Sequence, residues 1–137
     1  MATVLTNVGK SMIAKRLLPT ADPNYQANDP KYIAWGGGGG TSPAAITDTA
    51  LATEFAEARA TGTPSLDLVN VTNDTYKVVG TLTATAARTV TEAGLLDQTK
   101  AAAGAVPVGQ LMVRGDFGAV NLQSGDSIQF TIKVTFQ

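Results

Sequence analysis

The chain has 137 residues, 15% of them charged, with 10 Lys and Arg against 11 Asp and Glu. That length suits one domain with a substantial core, while a formal net charge of −1 argues against the cationic surface that nucleic-acid binding needs. Histidine and cysteine are both absent, which removes disulfides, thiolate nucleophiles, Cys/His zinc sites and imidazole acid–base catalysis.

At the N-terminus Lys10, Lys15 and Arg16 interrupt any apolar run, so no signal-peptide pattern forms. Nowhere does the chain approach the roughly 20 apolar residues that span a bilayer. The expectation is a soluble protein made in the cytosol, with no cofactor, no nucleic acid and no membrane partner. Residues 6–18 suit a short helix, capped by Thr6 or Asn7 and ended by Pro19. Its apolar stripe is weak, because Val8 with Met12 and Ile13 with Leu17 point in different directions.

Residues 19–30 hold three prolines and read as loop. Lys31–Trp35 reads as a short strand running into Gly36–Gly40, expected to be a flexible connector or close-approach turn. Between Asp48 and Arg59, Leu51 and Phe55 allow a helical turn or two, and an extended surface arm is the open alternative. Strand signals then dominate: Leu66–Val71, Thr75–Ala86, Thr89–Leu96 and Gln110–Phe117, with a small-residue loop at Gln98–Pro107. In the second of these, Tyr76, Val78, Leu82 and Ala84 share one face.

The sharpest pattern closes the chain. Ile128, Phe130, Ile132, Val134 and Phe136 alternate with Ser127, Gln129, Thr131, Lys133 and Thr135, the period of a strand dry on one face and wet on the other. The expected fold is mainly β: an antiparallel β-sandwich or jelly roll with a short N-terminal helix and flexible Gly/Pro-rich arms. One domain is expected over 1–137, with an N-terminal arm and helix at 1–18, a loop-rich arm at 19–65 and the β core at 66–137.

Candidate sites are few. Gly9-Lys10-Ser11 resembles the end of a phosphate-binding loop, but Val4 stands where the pattern needs glycine. Gly36–Gly40 could wrap an anion with backbone amides, a reading set below that of a connector. The Asn70-Val-Thr72 and Asn73-Asp-Thr75 acceptor patterns read as turn residues. Glu92, Asp97 and Asp116 are acids without a sugar-site context, and no catalytic or metal-binding residue is expected. Glu92 and Arg114 are expected either as a partly buried pair across neighbouring strands that fixes register or as two solvated charges. Weak charge with many Ala, Thr and Gly favours assembly over a solitary monomer.

Lys31-Tyr-Ile-Ala-Trp-Gly36, Thr91-Glu-Ala-Gly-Leu-Leu-Asp97, Met112-Val-Arg-Gly-Asp-Phe117 and Ser124-Gly-Asp-Ser-Ile-Gln-Phe-Thr-Ile-Lys-Val134 resemble small structural proteins of tailed bacteriophages. The shared order has a short helix, a Tyr-x-x-Trp-Gly turn containing Trp35, and a Leu…Glu…Arg segment. That segment is here Leu51, Glu54 or Glu57, and Arg59. A Glu-x-Gly-Leu-aromatic-Asp strand follows, in which Leu96 replaces the aromatic, then an Arg-x-x-Phe strand and the alternating last strand. Gly36–Gly40 and Gln98–Pro107 look expanded relative to that pattern. The resemblance implies a virion component assembled in the host cytoplasm, without catalytic residues. It implies a capsid decoration or cement protein, a homo-oligomer that clamps adjacent copies of the major capsid protein. Similar strand pairs occur in tail-collar and fibre proteins, so a tail, collar or fibre-attachment subunit is the alternative. A sugar-binding module would instead need an exposed platform from Tyr25, Tyr32, Trp35 or Tyr76.

Overall fold

The computed structural model describes residues 2–25, 28–100 and 108–137. Strand β1 is Ala2–Leu5, helix α1 is Asn7–Arg16, and β2 is Tyr32–Gly36. Then follow β3 (Ala60–Thr61), β4 (Thr63–Asp67), β5 (Thr75–Thr83), β6 (Arg88–Leu96), β7 (Leu111–Leu122) and β8 (Ser127–Thr135). Five strands form one sheet in the order β1-β7-β6-β2-β3, and three form another in the order β4-β5-β8. Every described strand pair is antiparallel. The sheets share a core that joins Ile33, Trp35, Val90, Leu95 and Val113 to Val78, Leu82 and Val134, with Met12 of α1 beside them. The architecture is a β-sandwich.

Thr6 caps α1: its hydroxyl accepts the Gly9 amide at 2.9 Å and donates to the Leu111 carbonyl of β7. Gly9 belongs to this packing, since a Cβ there would lie 2.4 Å from the Met112 carbonyl oxygen. Its glycine therefore serves close helix–sheet contact. The chain passes from one sheet to the other at Gly62, between β3 and β4, where a Cβ would sit 2.4 Å from Val78 Cγ1.

Several expectations need correction. The N-terminal arm expected ahead of the helix is a strand of the larger sheet: Ala2–Leu5 pairs with Val113–Asp116 of β7. Residues 48–59 form no helix: they follow bends and irregular chain, with one bridge between Gly36 and Glu54. The first core strand begins earlier than Leu66 and ends earlier than Val71, because Leu68–Val71 join a turn. That turn is closed by Asp74, whose carboxylate accepts the amides of Val69, Asn70 and Val71 at 2.9, 2.6 and 3.0 Å. Strand β7 runs on to Leu122, past Phe117. Of the expected loop Gln98–Pro107, residues 101–107 lie outside the described residues.

The closing strand has the expected alternation and pairs with β5 from Thr75↔Thr135 to Thr83↔Ser127. Its apolar face is less dry than the pattern implied. Val134 is buried, Ile128, Phe130 and Ile132 are half-buried, and Phe136 is 49% exposed. The reason is position: β8 is an edge strand of the smaller sheet.

Candidate functional site

The outer face of the five-stranded sheet carries a buried charge cluster that fastens residues 37–59 over it. In the β6–β7 register Gly94 lies opposite Arg114 and Glu92 opposite Asp116, so the Glu92 and Arg114 side chains meet diagonally on one face. Glu92 Oε2 accepts from Arg114 Nε at 3.0 Å and Nη2 at 2.8 Å. The Glu92 and Arg114 side chains are 0% and 1% exposed. The pair is thus wholly buried rather than partly so.

Two unit charges in that environment persist only if their remaining hydrogen-bonding capacity is filled. Here the covering segment fills it. Glu92 Oε1 accepts the amides of Gly38 and Thr53 at 3.0 and 2.8 Å, and Oε2 accepts that of Ala52 at 3.0 Å. Arg114 donates through Nη1 to Asp48 Oδ2 at 2.6 Å and through Nη2 to the Ser42 carbonyl at 2.7 Å. Asp116 accepts the Ala2 amide at 2.8 Å and the Ala44 amide at 2.6 Å, and Thr91 Oγ1 accepts the Gly39 amide at 2.9 Å.

The glycine run is therefore not a flexible connector. Of its amides only that of Gly38 meets an anion, the protein's own Glu92, while Gly37 and Gly39 donate to the Thr53 carbonyl and the Thr91 hydroxyl. Gly36 and Gly39 leave no space for a side chain, since a Cβ would stand 2.2 Å from the Thr53 oxygen and 2.1 Å from the Thr91 oxygen, respectively. Beneath the same cover Ala34, Leu51, Leu96 and Leu111 form a second small apolar cluster.

A second charged group secures the far end of the segment. Arg59 makes a two-pronged pair with Glu54, Nε to Oε1 and Nη2 to Oε2, each at 2.9 Å. Lys100 joins Glu54 at 3.3 Å and donates to the Phe55 carbonyl at 2.6 Å. Arg59 also donates to the Gln98 carbonyl at 2.9 Å and to that of Val108. The partner of Arg59 is thus Glu54, while Glu57 pairs with Arg88 Nε at 2.9 Å and accepts from Thr85. Trp35 is 1% exposed and meets Phe55 edge-on, ring centroids 6.0 Å apart. A ring so enclosed offers no platform to a sugar.

The electrostatics follow from these partners. Burial works to raise the Asp48 carboxyl, but the Ala45 amide and Arg114 outweigh it and hold it below the usual range. The Ala44 and Ala2 amides lower that of Asp116. Burial works to raise Glu57, yet Arg88 and Thr85 bring it down to about 2. Burial would also depress Arg114, and Asp48 with Glu92 raises it instead. These groups are fixed in their charged forms, the state suited to holding backbone in place.

Of the sequence-derived candidates, the structure brings Glu92, Arg114 and Asp116 together, and separates them from Arg59. Asp97 accepts the Gln110 amide at 2.6 Å at the hairpin between β6 and β7. Asp48, Asp74 and Lys100 carried no sequence signal beyond a charged residue in a turn or loop. Among the described residues no group of three or more acids could hold a metal ion, and no helix is long and apolar enough to cross a membrane.

The outside of the molecule is different in character. An open groove of about 370 Å³ runs between α1 and the smaller sheet, walled by Met12, Ile13, Leu66, Tyr76, Met112 and Phe136. Leu68, Val69 and Val71 in the β4–β5 turn are also exposed, as is Leu17, at 84%, at the end of α1. Compared with family models, with curated proteins and with solved structures, the chain matches none.

Proposed function

We propose that this chain is a structural protein of a tailed-bacteriophage virion, a decoration or cement protein that self-associates and clamps adjacent major capsid subunits. The observation that carries this reading is how charge is distributed. The buried acids and bases secure the protein's own covering segment, and the surface keeps apolar residues such as Leu17, Leu66, Val71 and Phe136. Exposed apolar surface of that kind marks contact with other proteins. A weakly charged sandwich with fastened loops is a stiff tile that loses little freedom on docking. Binding only to the assembled lattice would stabilise it by mass action. The quoted resemblance to phage structural proteins points the same way.

The test is cryo-electron microscopy of the particle that carries this chain, with its copy number in purified virions. Many copies on the outer shell support the decoration role. A few copies at the tail or collar would replace it with the tail-attachment reading, which the similarity to collar and fibre strands favours. Absence from virions would overturn both.

A further inference from the structure

Four strands lie at sheet edges: β1 and β3 in the larger sheet, β4 and β8 in the smaller. Three are poor templates for another strand. β1 has four residues and β3 two, while β4 carries Pro64, which has no amide proton to donate. β8 has nine residues, no proline, and nine consecutive partners on β5 without a bulge. Among the described residues no strand lies along its outer side.

An edge of this kind is ordinarily guarded by outward charge. The only charged residue of β8 is Lys133, and its ammonium is drawn back over the sheet to Asp67 Oδ2 at 2.8 Å. Lys77 reaches the same oxygen at 3.3 Å, so Asp67 answers the two lysines that oppose each other across β5 and β8.

We infer that β8 is a self-pairing edge, which joins antiparallel to β8 of a second copy about a two-fold axis at Thr131 and merges two three-stranded sheets into one of six. Thr131 is the midpoint of Ser127–Thr135, so this register overlaps the full strand. On the core side it sets Ile128 against Val134 and Phe130 against Ile132, all apolar. On the wet side it sets Ser127 against Thr135, Gln129 against Lys133 and Thr131 against itself. No like charges meet, and the favourable cross-strand classes are used. A cleft of about 190 Å³ between β8 and the β1–β7 edge, lined by Thr3, Val113, Phe117, Phe130 and Ile132, opens on this flank, where the second copy would cover it. The inference deepens the proposed assembly role by naming the self-contact.

The absence of native cysteine makes the test clean. Thr131→Cys lies on the axis and should crosslink to its mate under mild oxidation, giving a dimer on a non-reducing gel. Gln129→Cys should not, because its mate stands four residues along the partner strand, about 13 Å away and beyond disulfide reach. Sedimentation velocity supplies the second readout. Gln129→Lys places like charge opposite the second copy's Lys133 twice and should raise the dimer dissociation constant about tenfold, whereas Gln129→Glu should lower it by a similar factor. Gln129 is exposed, so an unchanged circular dichroism spectrum verifies the fold in each variant. A monomer at every concentration, crosslinking at 129 rather than 131, equal responses to the two charge variants, or capture of β8 only by a strand of another protein would each overturn the inference. A chain that stays monomeric yet coats phage shells overturns this contact and leaves the proposed role intact.

Discussion

The two sheets of this sandwich meet water in opposite ways. The larger is covered on both faces, by the shared core and by residues 37–59, so β6 is buried at seven consecutive positions from Val90 to Leu96. The smaller is covered on one face only, so β8 alternates between exposed and covered along its length. A sheet buried on both sides must neutralise any charge it contains, and the Glu92–Arg114–Asp48 set does so with backbone and counter-charge. A sheet with a wet face has no such need and keeps Lys77 and Lys133 on a surface bridge to Asp67.

The largest expected effect on this contrast comes from acid, which acts on several fastening groups together. Asp48, Asp116 and Glu57 are held below their ordinary values, so the stability each contributes is complete above the unfolded values. It is lost as pH falls from about 4.5 toward the folded value of Glu57, about 2. Trp35 is the one tryptophan and packs on Phe55 of the covering segment, so its emission should shift to the red in that window. Between pH 5 and 8, with no histidine to titrate, emission and melting temperature should stay flat. A transition centred near pH 6 would contradict the account.

Glu92→Ala comes next. It strands three amides and leaves Asp48 as the one carboxylate on Arg114, beside the Ser42 and Pro43 carbonyls, a loss of about 3–5 kcal/mol and a fall in melting temperature of more than about 10 °C. An unchanged melting curve would mean the cover is held by other contacts. Gly39→Ala should cost about 2–3 kcal/mol, because the Thr91 carbonyl occupies the space its Cβ requires. Gly40→Ala, with nothing within 4 Å, should change stability by less than about 0.5 kcal/mol. Equal effects at the two neighbours would show a slack glycine run. A modest loss belongs to the smaller sheet: Ile132→Ala, at a half-buried site, should remove about 1 kcal/mol, read from denaturant unfolding.

The same contrast explains what could be read from residues alone. Alternation in β8 and β5 is legible because one face is wet, and period two then survives in the chain. In Arg88–Leu96 both faces are covered, so the residues announce a strand but not what lies over it. The cover itself is written in small residues and turns, from Gly36 to Arg59, whose order comes from hydrogen bonds to Glu92, Arg114 and Asp116 on strands more than 30 positions later. Flexibility was the natural expectation for five glycines. Their compactness depends on a carboxylate 54 positions away from Gly38, which no local pattern reveals. The Glu92–Arg114 pairing was accessible because neighbouring strands carried opposite charges. Asp48, the third member, was hidden in a segment with no periodicity.

The pairing of β1 with β7 also has a consequence for biosynthesis. Strand β1 leaves the ribosome well before its partner and waits for contacts as far as 114 residues downstream, between Ala2 and Asp116. Until then the edge of β7 does not exist, and Thr6 has no carbonyl at Leu111 to receive its hydroxyl. Closure of the larger sheet is thus a late, non-local event. Such topologies fold slowly, and the nascent chain exposes apolar surface while it waits.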